Sequence, residues 1–220
     1  MIRKQPNYIL VEGPDGSGKT TAATALAEIL QKRRKNVVRI REPGGTPIAE
    51  HIRSVVLGTD YLKLTDQEEI TPLCEMFMLL AARSQNMAYV KRLIESQPDT
   101  FVIADRGFPS TFAYQAIDEQ TTSVYENTWQ ILAPPSRLSI LLDVSYDVSC
   151  ERRKQRAGYA DRIEQRLTEE HFNSMRERYA NVPGGYDLVI NTDNLSVTEV
   201  TRQILGYIFN ESQPVRTSNA

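Results

Sequence analysis

The chain has 220 residues, 40% of them hydrophobic and 25% charged, which excludes a disordered or fibrous protein and is enough for one domain with a packed core. Its 26 basic residues against 28 acidic ones leave a net charge of −2, so no global basic field exists to hold a nucleic-acid backbone and any positive patch is local. The 2 cysteines, Cys74 and Cys150, lack metal-ligand spacing and read as buried free thiols; no apolar run approaches membrane-spanning length or makes a signal peptide, so a cytoplasmic protein is expected.

The apolar run Tyr8 to Val11 reads as a strand and Ala22 to Lys32 as a helix, with GPDGSGKTT, Gly13 to Thr21, between them. This spacing fits a phosphate cradle. Gly13, Gly16 and Gly18 let the backbone turn tightly so that the N–H groups of Asp15, Ser17 and their neighbours face phosphate oxygens. The helix start adds unpaired N–H groups and a positive dipole end at Thr21. Lys19 would reach the β- and γ-phosphates, and the Thr20 hydroxyl would ligate Mg²⁺. The pattern predicts a bound nucleoside triphosphate.

Asn36 to Arg41 reads as a second strand, closed by a turn at Pro43-Gly44-Gly45. Thr46 can cap the next helix, with Pro47 at its first position, Glu50 as a capping-box acid, and Ile48, Ile52, Val55 and Val56 as one apolar face ending near Gly58. Arg41, Glu42 and Arg53 are placed to meet an acceptor phosphate, although a solvated helix start explains them equally well in isolation. A long helical region from about Gln67 to Glu95 contains Pro72 as a break or kink. Arg83 sits late in its apolar part, where a charge needs a partner or a cleft.

Thr100 to Ala104 reads as a strand buried on both faces, ending in Asp105, which can help hold Mg²⁺, and Arg106, which can fork onto phosphate. Ser110, Thr111, Tyr114 and Gln115 follow with hydrogen-bonding groups for a base and a sugar. Leu138 to Val144 and Asp187 to Asn191 repeat the strand pattern, with helical segments at about 146–156, 168–180 and 197–210. Such alternation predicts an α/β fold whose parallel sheet is covered on both faces, with ligands at the carboxyl ends of the strands. The cluster Arg152, Arg153, Lys154, Arg156 and Arg162 around Gly158 is a charged helix face or, in a nucleotide kinase, a lid that closes over the phosphates. One domain over 1–210 is expected, with the lid at about 152–165 and a frayed tail at 211–220. No Asn-Lys-x-Asp segment for reading guanine occurs, and the chain is short for a motor, so phosphoryl transfer to a small molecule leads.

GPDGSGKTT, REPGGTPIAEHIR, AARSQ, DRGFPSTFAYQ and the arginine-rich segment ending DRIEQ stand in the order and spacing of thymidylate kinases, and the resemblance runs from about Tyr8 to Phe209. It implies a P-loop nucleotide kinase fold with a five-stranded parallel sheet and a mobile lid. It further implies transfer of the γ-phosphoryl of ATP to dTMP with Mg²⁺, and a homodimer formed through helix faces. By the same resemblance Lys19 is the phosphate lysine, Arg156 the lid arginine bridging both phosphates with Arg152 beside it, and Arg53 and Arg106 hold the dTMP phosphate. Asp15 lies near the deoxyribose hydroxyl, Arg83 near a base carbonyl, and Thr111 and Gln115 near the base edge. Tyr114 crowds the 2′ position, and Asp105 and Glu164 help hold Mg²⁺. Gly16 stands where some relatives carry an arginine, which leaves the catalytic arginine to the lid. The sequence departs from the family at Leu79, where an aromatic residue usually stacks on thymine; Phe77 lies about 200° around the helix from it, and Phe112 is another aromatic nearby. That departure keeps open an acceptor such as dUMP or a 5-modified dUMP, and a catalytically silent nucleotide binder is the alternative outside enzymes.

Overall fold

The computed structural model describes residues 7–58, 70–132, 136, 138–155 and 167–209, apart from the side chain of Gln130. Strands β1 (Tyr8–Glu12), β2 (Val37–Arg41), β3 (Phe101–Asp105), β4 (Leu138–Asp143) and β5 (Leu188–Asn191) form one 5-stranded, all-parallel sheet in the order β2-β3-β1-β4-β5. Helices α1 (Lys19–Lys32), α2 (Pro47–Leu57), α3 (Pro72–Ser96), α4 (Phe108–Gln115), α5 (Glu119–Leu132), α6 (Tyr146–Lys154), α7 (Glu169–Ala180) and α8 (Val197–Phe209) surround it. The expected doubly covered sheet is therefore present, and no described helix is long and apolar enough to cross a membrane.

Every residue of β1 is buried, because alternate side chains serve different layers. Ile9 and Val11 pack with Leu26 and Leu30 of α1 and with Ile204 and Ile208 of α8. Tyr8 and Leu10 join Val102, Ala104 and Val90 on the α3 side. From β1 the chain crosses to β2, returns to β3 along one edge of β1, and then places β4 along the other edge. The connections diverge above β1, which opens a crevice at the carboxyl ends of the strands.

Several local expectations change. Of the break or kink expected at Pro72 the structure has the break: α3 begins at that proline, with Thr71 as its cap accepting from the Cys74 N–H at 3.3 Å. The expected helical residues 67–69 lie outside the described residues. Of the expected apolar face of α2, Val56 is buried and Ile52 and Val55 half-buried, but Ile48 is 57% exposed and Ala49 is buried in addition. Glu50 does not complete a capping box: its Oε1 accepts from the Gly45 N–H at 2.9 Å and so braces the preceding turn. The cysteines are free, but Cys74 is exposed and Cys150 half-buried. Helix α5 was not anticipated. Its signals are Asp118, whose Oδ1 accepts from the Thr121 N–H at 2.8 Å, and the apolar spacing of Val124, Tyr125, Trp129 and Leu132. Tyr125 stacks on Phe108 of α4 with ring centroids 4.4 Å apart.

Candidate active site

The crevice holds a cavity of about 680 Å³. One wall is Asp15 to Gly18 of the glycine loop and the start of α1. Gly18, at φ 86, precedes α1 without any side-chain cap, whereas Thr46, Thr71 and Thr168 cap α2, α3 and α7 with their hydroxyls. The first-turn N–H groups of α1 thus remain available to an anion. Glycine is needed where the loop is pressed against its neighbours: a Cβ on Gly13 would lie 2.1 Å from the Leu142 carbonyl oxygen, and one on Gly16 would lie 2.8 Å from Ser149 Cα. Helix α6 fastens the loop from outside, with Ser149 Oγ donating to Asp15 O at 2.7 Å and Arg152 Nη1 to Gly16 O at 3.2 Å. Arg152 also donates to Thr192 O at 2.6 Å, which ties the loop to the end of β5.

Lys19 Nζ donates to Pro14 O at 2.6 Å and stands 4.0 Å from Asp15 Oδ1. Burial, assisted by the charge of Arg106, brings its ammonium down to about 8. Thr20 Oγ1 donates to Asp105 Oδ2 at 2.5 Å, so a hydroxyl and a carboxylate meet on the cavity floor. Among the described residues no cluster of three or more His, Cys, Asp or Glu side chains makes a protein cage for a metal. The oxygen pair suits Mg²⁺, which takes few protein ligands and completes its shell with water and phosphate.

Across the cavity Arg106 directly follows β3 with a left-handed φ of 73. Its Nη1 donates to Gly13 O at 3.2 Å, Ser110 Oγ at 3.1 Å and Tyr179 Oη at 2.9 Å; its Nη2 donates to Asp15 Oδ1 and to Tyr114 Oη at 3.2 Å. Tyr114 donates in turn to Asp15 Oδ2 at 2.9 Å. Burial pushes the Asp15 carboxyl up, but Arg106 and Lys19 together hold it well below the usual carboxylate range. The loop of one wall and the guanidinium of the other are therefore a single charged network.

Glu42 and Arg83 form a second pair, 2.8 Å apart, with exposures of 1% and 5%. The contact lacks hydrogen-bond geometry, so neither Glu42 oxygen nor Arg83 Nε has a hydrogen-bond partner among the described residues. Burial raises the Glu42 carboxyl to about 7 although Arg83 pulls it down. Arg53 Nη1 donates to Pro43 O at 2.9 Å, beyond a cis Glu42–Pro43 peptide. Gln115 Nε2 donates to Glu75 Oε1 at 3.0 Å, both side chains being buried. Leu79 lines the cavity, whereas Phe77 is 54% exposed and Phe112 packs on Tyr125 in the cluster around α5. Neither aromatic replaces a stacking wall at Leu79.

The structure brings together on this cavity Asp15, Gly16, Ser17, Gly18, Lys19, Thr20, Thr21, Glu42, Arg53, Leu79, Arg83, Asp105, Arg106, Ser110, Thr111, Tyr114, Gln115 and Arg152. Gly13 lies behind the wall and contributes its carbonyl to Arg106. Arg156 and Glu164 lie outside the described residues. Sequence reasoning missed Glu12, Glu75, Tyr179 and the wall formed by Thr192, Leu195, Ser196 and Val197. Glu12 carried a signal, since it ends an apolar strand just before the loop as Asp105 ends β3. Tyr179 carried none.

A family model described as thymidylate kinase matches residues 11–204. A thymidylate kinase from Pseudoalteromonas translucida (strain TAC 125) is 35% identical over 206 residues, covering 91% of this chain and 94% of the relative. One from an Exiguobacterium species is 36% identical over 164 residues, covering 72% and 73%. One from Buchnera aphidicola subsp. Baizongia pistaciae is 35% identical over 182 residues, covering 80% and 81%.

Proposed function

The chain belongs to the thymidylate kinase family and transfers the γ-phosphoryl of ATP to dTMP, and we propose the division of labour among its residues that follows. The observation that supports it most is one cavity with two unlike walls: an uncapped helix start with Lys19 on the donor side, and Arg53, Arg83 and Arg106 on the acceptor side. The relatives are named for thymidylate, which favours dTMP over the dUMP-type acceptor entertained from Leu79.

On the donor side the N–H groups of Gly16 to Thr21 cradle the β- and γ-phosphates, and Lys19 carries charge toward the oxygens that become more negative during transfer. The wall of Leu195, Ser196 and Val197 takes the adenine, and Arg152 braces it through Thr192. Thr20 and Asp105 would hold Mg²⁺, with Glu164 assisting by sequence alone, and the ion would supply charge neutralisation at the phosphates.

On the acceptor side Arg53 and Arg106 bind the dTMP phosphate. The hydrogen bonds of Arg106 to described residues leave from Nη1 and Nη2, which leaves Nε–H to turn toward that phosphate. Asp15 and Tyr114 take the deoxyribose, with Tyr114 filling the space a 2′-hydroxyl would need. Arg83, Thr111 and Gln115 read the base over Leu79, and Ser110 and Glu42 hold the arginines. The acceptor oxygen is already anionic, so no general base is required, and positioning and charge stabilisation carry the transfer. By sequence alone, Arg156 supplies lid charge to the transferring group and the lid at 152–165 excludes water from a single domain spanning 1–210.

The proposal includes a cytoplasmic homodimer; exposed Ile48 and Phe77 on neighbouring α2 and α3 support the dimer. ADP release measured over a panel of monophosphates tests the function. Acceptor-stimulated ADP with dTMP is expected, and its absence with intact ATP binding overturns the proposal.

A further inference from the structure

Glu12, Ser110 and Tyr179 are buried polar side chains, and the transfer has no direct use for the first and last of them. Ser110 Oγ donates to Glu12 Oε2 at 2.6 Å, while Glu12 Oε1 accepts the backbone N–H of Ser110 at 3.3 Å and that of Gly107. The only hydroxyl proton of Ser110 is thereby committed to a carboxylate, and Oγ offers nothing but lone pairs in other directions. The Tyr179 hydroxyl, 2.8 Å from Oγ, must then be the donor between the two. Its proton faces Ser110 and its lone pairs face Arg106 Nη1, 2.9 Å away; Ser110 Oγ presents its second lone pair to the same nitrogen at 3.1 Å. Proton order is dictated outward from Glu12, so that only acceptors meet the guanidinium.

The tyrosine ring can enforce this because it is packed among Ala113, Leu141, Phe172 and Met175 and meets the Tyr114 ring edge-on at 6.1 Å. Arg106 needs the help, since its backbone is in the left-handed region and its side chain reaches back across the ends of β1 and β3. We propose that Glu12, Ser110 and Tyr179 form a positioning relay that fixes the orientation of Arg106, so that its remaining edge faces the phosphate of the acceptor nucleotide. The relay also connects α7, which follows the arginine-rich segment in the chain, to the acceptor site. It rests on Arg106 being a ligand of that phosphate.

The test is a double-mutant cycle read by calorimetric dTMP affinity, which needs no turnover. Tyr179→Phe keeps the packed ring and deletes only the hydroxyl; it is expected to weaken dTMP about tenfold, as for loss of one hydrogen bond to a charged group. ATP affinity, measured on the same samples as a reporter of the folded loop, is expected to stay within about twofold, a difference small beside the tenfold steps of the affinity scale. In an Arg106→Gln background the same change is expected to have no further effect, because the group it orients is gone. An equal effect of Tyr179→Phe in both backgrounds, or wild-type dTMP affinity in the single variant, overturns the relay. Unchanged dTMP affinity in Arg106→Gln overturns instead the role of Arg106 on which the relay rests.

Discussion

Replacing Arg83 by methionine is expected to destabilise the fold by an amount that depends on pH. Arg83 and Glu42 are 2.8 Å apart and almost unhydrated, at 5% and 1% exposure. At an effective dielectric constant of about 20 their attraction at that distance is roughly 6 kcal/mol, against a desolvation cost of several kcal/mol for each ion. The intact pair is near neutral for stability, and the effect of deletion lies in the carboxyl left behind. Burial already raises Glu42 to about 7, from 4.5. The folded carboxyl holds its proton more tightly than the unfolded one, so its contribution to stability is complete below 4.5 and is lost as pH rises through 7. Without Arg83 the folded value rises further, and an additional loss appears only above pH 7. It grows by about 1.4 kcal/mol per pH unit while the variant's carboxyl remains protonated, or about 2 kcal/mol at about pH 8.5. A pH-independent loss of roughly 1 kcal/mol is added for the Arg83 guanidinium, which stands 5.4 Å over the Phe108 ring. Urea unfolding of wild type and variant at about pH 5.5 and about pH 8.5 measures the difference directly. Adding Glu42→Gln is expected to abolish the pH-dependent part. An equal loss at both pH values, or a double variant that keeps the dependence, refutes the reasoning.

Gly13→Ala and Gly18→Ala both place a side chain at positive φ, yet only the first meets an atom, the Leu142 oxygen at 2.1 Å. Losses of about 2–4 kcal/mol and about 1 kcal/mol respectively are expected in urea melts, and equal losses contradict the close approach of the loop to β4. Burial and the charge of Arg106 bring the Lys19 ammonium down to about 8, and only its protonated form attracts phosphate; kcat/KM for ATP is expected to fall as pH rises above about 8. A profile flat to about pH 9.5 rules this out. Thr20→Val preserves shape but removes the hydroxyl beside Asp105, and is expected to raise the Mg²⁺ concentration needed for half-maximal turnover at least about tenfold. An unchanged Mg²⁺ requirement takes Thr20 out of the metal site.

The phosphate loop, the strands and most of the cavity's residues were legible in the sequence because each is written in a few consecutive positions. Glycine spacing sets positive φ at Gly16 and Gly18, apolar runs set strands buried on both faces, and Thr46 with Pro47 starts a helix. Helix α5 was legible in principle from Asp118 and the spacing of Tyr125 and Trp129, but polar residues diluted the pattern. Which groups share charge is another matter. Arg106 meets Asp15 across 91 positions and Tyr179 across 73, and Glu12 meets Ser110 across 98. No local periodicity encodes such pairings; they exist because parallel crossovers bring the ends of β1, β3 and β4 together above one crevice. The sequence by itself determined the fold, the family and the glycine loop between β1 and α1. The tertiary structure decided the burial of Glu42 against Arg83, the hydrogen-bond partners of Arg106 and the exposure of Phe77, because desolvation and hydrogen-bond order depend on neighbours distant in the chain.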